Sequence, residues 1–374
     1  MRFNISKSAF NSALNLVSRA IAINSPLPAL SGIKLETLED QLILIASDTD
    51  LSIKKILTVT EEKKSLEILE TGSIVLEGRY LLDIVRKMDS DIIHFEIVDG
   101  TLVKISGHSA HFNLNGMRAQ SYPQIDFTTP ELQFKMPADE LGNIIHQTLF
   151  ATSDKETRPV LTGINFNYNK EELLVVATDS YRLARKHVPL TVIDEPFNAT
   201  IPRKVLGEIL KVIDEEEHIL MAISNNKVQF INDHNVIQSS LLDGIYPETN
   251  RLIPNQFIAE MKISSRDMLN AIDRASFIKS DGISIVRLNM SEEKVEMSSK
   301  SQEVGSSLEV LNPISYQGEK LTLSFSGKFM TDAIRALNSS EVLIQFSGEM
   351  KPFIITTSSD ESIIQLVLPV RTYD

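Results

Sequence analysis

The stretch Thr71-Gly-Ser-Ile-Val-Leu-Glu-Gly-Arg-Tyr-Leu-Leu-Asp-Ile-Val-Arg86 changes its periodicity halfway along. Its first part reads as a short strand, and from Gly78 onward the apolar residues fall on one helical stripe. The same event recurs as Asn198-Ala-Thr-Ile-Pro-Arg-Lys-Val-Leu-Gly-Glu-Ile-Leu210 and as Lys320-Leu-Thr-Leu-Ser-Phe-Ser-Gly-Lys-Phe-Met-Thr-Asp-Ala-Ile-Arg335. The junctions Gly78, Pro202 and Gly327 lie 124 and 125 residues apart, close to one third of the 374-residue chain. A strand that runs into a helix three times at a fixed interval marks an internal repeat.

Working outward, each junction is preceded by an amphipathic segment that starts roughly sixty to seventy residues upstream. The three copies are Ser8-Ala-Phe-Asn-Ser-Ala-Leu-Asn-Leu-Val17, Asp139-Glu-Leu-Gly-Asn-Ile-Ile-His-Gln-Thr148 and Arg266-Asp-Met-Leu-Asn-Ala-Ile-Asp-Arg-Ala275. Apolar residues recur at i, i+3 and i+4, with Ser or Asp near the start as a cap. Ser121-Tyr-Pro123 is echoed by Ile245-Tyr-Pro247, again 124 residues on. Between the helices lie alternating segments that read as hairpins, turning at Asp99-Gly100, Asn225-Asn226 and Gly348-Glu349. The expected class is α+β: three repeated domains, each with two helices packed on antiparallel sheets. Their boundaries fall where Pro and polar residues gather, giving domains 1–128, 129–254 and 255–374. Such a pseudo-symmetric chain suggests an arc that closes by oligomerising.

Composition removes several classes of function. With 37 basic and 50 acidic residues the net charge is −13, which excludes a protein that grips nucleic acid with its outer surface. Absence of cysteine removes disulfides, thiolate metal sites and thiol nucleophiles. The longest apolar runs, such as Leu42–Ala46 and Leu173–Ala177, have about five residues against roughly twenty for a spanning helix, so no membrane role and a cytoplasmic location are expected. No two glycines are close enough for a GxGxxG turn or a GxxxxGK loop. His108-Ser-Ala-His111 is a poor metal pair, since positions three apart on a strand face opposite ways. Neither a metal nor a cofactor is expected. Ser47-Asp48-Thr49-Asp50 reads as a turn. The one enzymatic alternative is a hydrolase using Asp48, Asp50 and Asp179, and no accompanying motif supports it.

Four short motifs then carry a resemblance. They are Leu27-Pro-Ala-Leu30, Ala177-Thr-Asp-Ser-Tyr-Arg-Leu-Ala184, Asp243-Gly-Ile-Tyr-Pro247 and the terminal Leu366-Val-Leu-Pro-Val-Arg371. Their order and spacing on a three-repeat chain resemble the bacterial DNA polymerase sliding clamps, the β subunits of the replicative polymerase, along the whole length. Thr157-Arg-Pro-Val-Leu-Thr-Gly163 is similar to the clamps of low-GC Gram-positive bacteria.

The resemblance implies a head-to-tail homodimer forming a six-domain ring around duplex DNA, with helices lining the hole. Charge is in keeping with it. The segments Lys7–Ala20, Arg79–Met88, Asp139–Thr152, Arg203–Ile213, Ser265–Lys279 and Lys328–Leu337 total about +6, leaving about −19 for the rest. The implied DNA-facing cations are Arg79, Arg86, Lys87, Arg158, Arg203, Lys204, Lys211, Arg266, Arg274, Lys328 and Arg335. Asn24 stands where some clamps carry a basic residue. The implied partner groove takes short linear peptides of the polymerase, the clamp loader and repair proteins. Its matching positions are Thr178, Ser180, Tyr181, Arg182, Leu183, Pro247, Leu252, Pro352, Leu366, Val367, Leu368, Pro369, Val370 and Arg371, rimmed by the two arginines. Ser180 and Tyr181 replace Gly and His of some relatives, and Thr372–Asp374 extends the chain beyond the groove. The implied dimer contact joins Phe112 and Leu114 to Phe277 and Ile278. The expected function is a non-enzymatic processivity factor that tethers polymerase to DNA; the alternative from another class is a monomeric peptide-binding scaffold.

Overall fold

The computed structural model describes residues 1–23, 25–59, 65–190, 195–212, 218–232, 234–276 and 284–372. These contain six α-helices, two in each repeat: α1 (Lys7–Val17), α2 (Gly78–Lys87), α3 (Ala138–Thr148), α4 (Arg203–Ile209), α5 (Ser265–Ala275) and α6 (Gly327–Leu337). Each follows directly on a strand, and in α1, α5 and α6 the serine at the junction caps the helix. Ser6 Oγ accepts from the Ala9 N–H, Ser264 Oγ from Asp267 and Ser326 Oγ from Phe329. The central junction sits one residue later than the sequence spacing suggests. Pro202 ends its strand and α4 begins at Arg203.

All strand pairs are antiparallel, and the chain forms two compact units. The first holds Met1–Asp139 and Glu208–Leu241. One of its sheets runs, edge to edge, through Leu66–Glu70, Arg2–Ser6, Ile92–Asp99, Leu102–Ser106 and His111–Asn115. The other runs through Leu132–Pro137, His218–Ile223, Lys227–Asn232, Asn235–Ser240, Leu51–Thr58, Gln41–Ser47, Gly32–Thr37 and Gly72–Glu77. The second unit holds Glu140–Gly207 and Leu242–Asp374. Its larger sheet runs through Phe197–Pro202, Gly163–Tyr168, Glu172–Thr178, Arg182–Pro189, Asp360–Val367, Phe353–Thr357, Glu341–Phe346, Ala259–Ser264 and Ser315–Gly318. Its smaller sheet comprises Gly305–Leu311, Val295–Ser301, Ile285–Met290 and Leu321–Ser326.

Repeat boundaries do not interrupt these sheets. Strand 235–240 of the central repeat pairs with strand 51–58 of the first, and strand 182–189 pairs with strand 360–367 of the third. Edge strands carry unpaired N–H and C=O groups, and joining edge to edge satisfies them. We call these two junctions seams. The sequence pattern located the strands but not the seams.

Helices cover one face of the sheets. Phe10, Ala13, Leu14 and Val17 of α1 are buried, and Phe3 packs edge-on to Phe10 and stacks on Phe95 at 4.6 Å. In the second unit Met268, Ile272, Met330 and Ile334 of α5 and α6 join Phe346, Phe353 and Val367 in one core. The hairpins at Asp99-Gly100 and Asn225-Asn226 form as expected. Strands 341–346 and 353–357 are instead joined by a longer loop containing Gly348 at φ +146°.

Candidate functional site

The groove residues divide by strand parity. Across the second seam Leu183 pairs with Leu366 and Leu366 with Ile354, so all three side chains share one face of the sheet. Val176 joins them on that face, and the four are buried together. Leu174, Tyr246, Ile253, Phe257, Ile364 and Leu368 pack around this floor and are only partly buried, leaving an accessible apolar rim. The Tyr246 hydroxyl accepts from the Thr178 N–H at 3.0 Å, and burial pushes its pKa up, so it stays protonated. Two residues earlier, Gly244 adopts a φ of +111°, a conformation strained for any side chain.

Arg182 and Val367 pair with each other one residue away, and therefore face the opposite way, toward α6. This corrects the expectation that Arg182 rims the groove. Its guanidinium is buried behind the sheet, ion-paired to Asp179 and to Asp332 of α6. Val367 belongs to the helix-side core. The basic group on the groove face is Arg185, half-buried, whose Nη1 reaches Asn250 Oδ1 at 3.4 Å; burial lowers its pKa. Thr178 is buried, its hydroxyl donating to the Arg182 carbonyl at 2.7 Å. Tyr181 is exposed on the turn, as is Ser180, which adopts φ +76°. Leu368 donates its N–H to the Tyr181 carbonyl, and Val370 to that of Ser324, which anchors the terminal segment beside the floor. Pro369, Val370 and Pro352 are half-buried, whereas Pro247 and Arg371 are exposed. Leu252 is exposed and stands outside the apolar cluster; its place is taken by Ile253 and Phe257. No sequence period singles out those two, because they lie on a segment without regular structure.

The aspartates of the hydrolase alternative are turn residues. Asp48 Oδ1 accepts from the Asp50 and Leu51 N–H groups, and Asp179 Oδ1 from those of Tyr181 and Arg182. Asp50 is exposed on its turn. Both turns hold a non-glycine residue, Thr49 or Ser180, in the left-handed region. Among the described residues no cluster of His, Cys, Asp and Glu is arranged to hold a metal, and no helix is long and apolar enough to cross a membrane.

The expected DNA-facing cations fall into two groups. Arg86 and Lys87 pair with Asp83, Lys211 with Glu208, Arg203 with Asp154 and Arg274 with Glu309. Arg79, Arg158, Arg266, Lys328 and Arg335 are exposed and carry no ion pair among the described residues, while Lys204 is exposed and partnered. Phe112 and Leu114 lie on the edge strand 111–115, with Phe112 36% exposed. Phe277 and Ile278 lie outside the described residues, as do Asn24, Tyr373 and Asp374.

Comparison with known proteins places all three repeats in one family. The N-terminal, central and C-terminal domains of the DNA polymerase III beta subunit match residues 1–126, 135–248 and 250–371. The beta sliding clamp of Bacillus subtilis is 38% identical over 378 residues, with both chains covered completely. The crystal structure of the DNA polymerase sliding clamp from that organism superposes with a TM-score of 0.95 at 38% identity over 100% of each chain. That of the DNA polymerase III beta chain from Streptococcus pneumoniae gives 0.95 at 30% identity, covering 99% of this chain and 100% of the other. A chain built of three such domains belongs to the DNA polymerase III beta subunit family, the bacterial beta sliding clamps.

Proposed function

We propose that this chain acts as a sliding clamp: a homodimeric ring that encloses duplex DNA and tethers the replicative polymerase, without catalytic residues of its own. The observation that carries this reading is a pair of unpaired edges. Each seam joins the last strand of one repeat to a strand of the preceding repeat, 235–240 to 51–58 and 360–367 to 182–189. Strands 235–240 and 360–367 are the counterparts of strand 111–115, and strands 51–58 and 182–189 those of strand 305–311. Those two counterparts, 111–115 and 305–311, stand at sheet edges with no seam among the described residues. Both present apolar groups, Phe112 on one and Leu308 and Val310 on the other.

Pairing the edges between two protomers gives a head-to-tail contact that occurs twice and closes. The register follows from the existing seams. Ile237 meets Ile53 and Gln365 meets Ala184, and the ladders make Phe112 the equivalent of Ile237 and Gln365, and Ser307 that of Ile53 and Ala184. Phe112 then stands opposite Ser307 of the other protomer, beside a cavity of about 400 Å³ lined by Arg274, Ala275, Met297, Ser307, Leu308 and Glu309. Phe277 and Ile278, which the resemblance assigns to this contact, follow closely on Ala275 in sequence.

Within the ring, Arg79, Arg158, Arg266, Lys328 and Arg335 supply free positive charge, and the ion-paired cations add less. Phosphate contacts of this kind do not read bases, so the ring slides. Aliphatic and aromatic anchors of partner peptides from polymerase, clamp loader and repair proteins occupy the apolar groove. The test combines mass and topology. A sedimentation mass near twice 41.8 kDa is expected, with protein loaded on circular duplex retained and then lost on linearisation. Phe112→Asp is expected to give monomers that are not retained. Equal loss from circular and linear DNA would refute enclosure, and a monomeric wild-type chain would favour the scaffold alternative.

A further inference from the structure

We propose that Arg182 positions the partner groove from behind the sheet and makes no contact with the bound peptide. This inference rests on the groove reading above and goes beyond it, because it assigns the groove's shape to a contact with helix α6.

The repeats supply the first argument. The pairings Ser47–Ser52, Thr178–Leu183 and Lys300–Ser306 make Leu51, Arg182 and Gly305 equivalent positions, each at the start of its strand. Leu51 is a fully buried apolar residue and Gly305 has no side chain. Only the repeat that builds the groove carries a charge here.

Geometry supplies the second. Arg182 is 6% exposed. Its Nε donates to Asp179 Oδ2 at 3.0 Å and its Nη1 to Asp332 Oδ2 at 2.6 Å. The guanidinium carbon lies 4.5 Å from the Phe329 ring centroid and 5.3 Å from that of Phe150. Nε and Nη1 are held by these carboxylates and the guanidinium lies close to both rings, on the side of the sheet opposite the apolar floor. Arg182 thus ties α6 to Asp179. Asp179 in turn accepts the Tyr181 and Arg182 N–H groups and holds Ser180 in a left-handed conformation that a serine rarely adopts. The Tyr181 carbonyl at the end of that turn receives the N–H of Leu368 at 3.0 Å, fixing a rim residue. A line of contacts therefore runs from Asp332 to the groove rim without passing through the peptide's space.

The consequence is that removing an α6 carboxylate far from the rim weakens peptide binding. The measurement is fluorescence anisotropy with a labelled pentapeptide, Ala-Leu-Ala-Leu-Phe, on the full-length wild type, Asp332→Asn, Arg182→Lys and the double variant. Each single variant is expected to bind about tenfold more weakly, the scale of one charge-assisted hydrogen bond. The double variant is expected to be little weaker than either, because both break the same line. Sedimentation mass and circular dichroism should match the wild type. Wild-type affinity in both folded single variants would overturn the proposal. So would weak binding by Arg182→Lys alone, which would mean that Arg182 touches the peptide directly. A wild-type chain that fails to bind would instead sink the groove reading itself.

Discussion

The two seams share a backbone and differ in side chains. In the first unit the floor positions are Ser52, Gln238 and Gln229; the equivalent positions in the second are Leu183, Leu366 and Ile354. Gln229 is fully buried, and its amide donates to Gln238 Oε1 at 2.7 Å and to the Phe127 and Thr128 carbonyls at 3.2 Å each. Lys54 lies 4.8 Å from the Phe127 ring centroid, and Lys227 pairs with Asp126. The connecting segment 126–128 is thus bound down onto a polar floor by the chain itself. In the second unit the corresponding connection contributes Ile253 and Phe257 to the edge of an apolar floor and leaves its rim accessible. Strand pairing makes both seams cohere; the chemistry of three floor positions decides which floor stays apolar with an accessible rim. A polar floor must find fixed partners when it is covered, and the chain's own linker provides them.

Exchange of residues between the seams tests this most sharply. Leu183→Ser combined with Leu366→Gln gives the second seam two of the three floor side chains of the first. Peptide affinity is expected to fall by about a hundredfold or more, from lost apolar contact and a floor that prefers water. Anisotropy with the labelled pentapeptide reads the loss, and an unchanged dimer mass shows that the seam still holds. Unaltered affinity would break the comparison.

A smaller effect is expected at the first seam. Gln229→Leu supplies the apolar character of Ile354 but strands two linker carbonyls without a donor, at a cost of about 1–3 kcal/mol. The urea midpoint of the first unit, followed by hydrogen exchange in strands 227–232 and 235–240, should drop. A gain in stability would show that the linker does not depend on the polar floor.

The smallest effect concerns pH. Beside the second seam, partial burial alone would raise the Asp360 carboxyl, but hydrogen bonds from Ser362, Lys186 and Gln147 outweigh it and hold the pKa at about 2. A depressed carboxylate stabilises the fold above its unfolded value near 4 and loses that contribution as pH falls through about 2. Solvent reaches this carboxylate, so the contribution is modest. Asp360→Asn should lower the urea midpoint at pH 6 and converge with the wild type below pH 2. An equal difference at both pH values would remove Asp360 from the seam's electrostatics.

Much of the fold was legible in the residues. The helix at Arg266–Ala275 shows in the spacing of Met268, Ala271, Ile272 and Ala275, because burial of one stripe imposes that period. The strand-to-helix junctions show where the period changes from two to nearly four. The groove was legible only through its motifs. Leu183 and Leu366 were identified, yet so were Arg182 and Val367, their chain neighbours on the other face. Alternation along a strand fixes which residues share a face, but not which face is covered by helices. Tyr246, Ile253 and Phe257 belong to segments without a period, so only their packing reveals them.

By itself the sequence determined three repeats, six helices, the strands between them and a positive charge concentrated in the helical segments of an acidic chain. Each of these is a local pattern, set by what neighbouring residues along the chain must bury or expose. Tertiary structure decided how strands from different repeats join into continuous sheets, that Arg182 faces the helix side of the sheet and Arg185 the opposite side, and that one floor is closed by the chain's own linker. These depend on register between strands more than a hundred residues apart, and a one-residue change of register exchanges every side chain between the two faces.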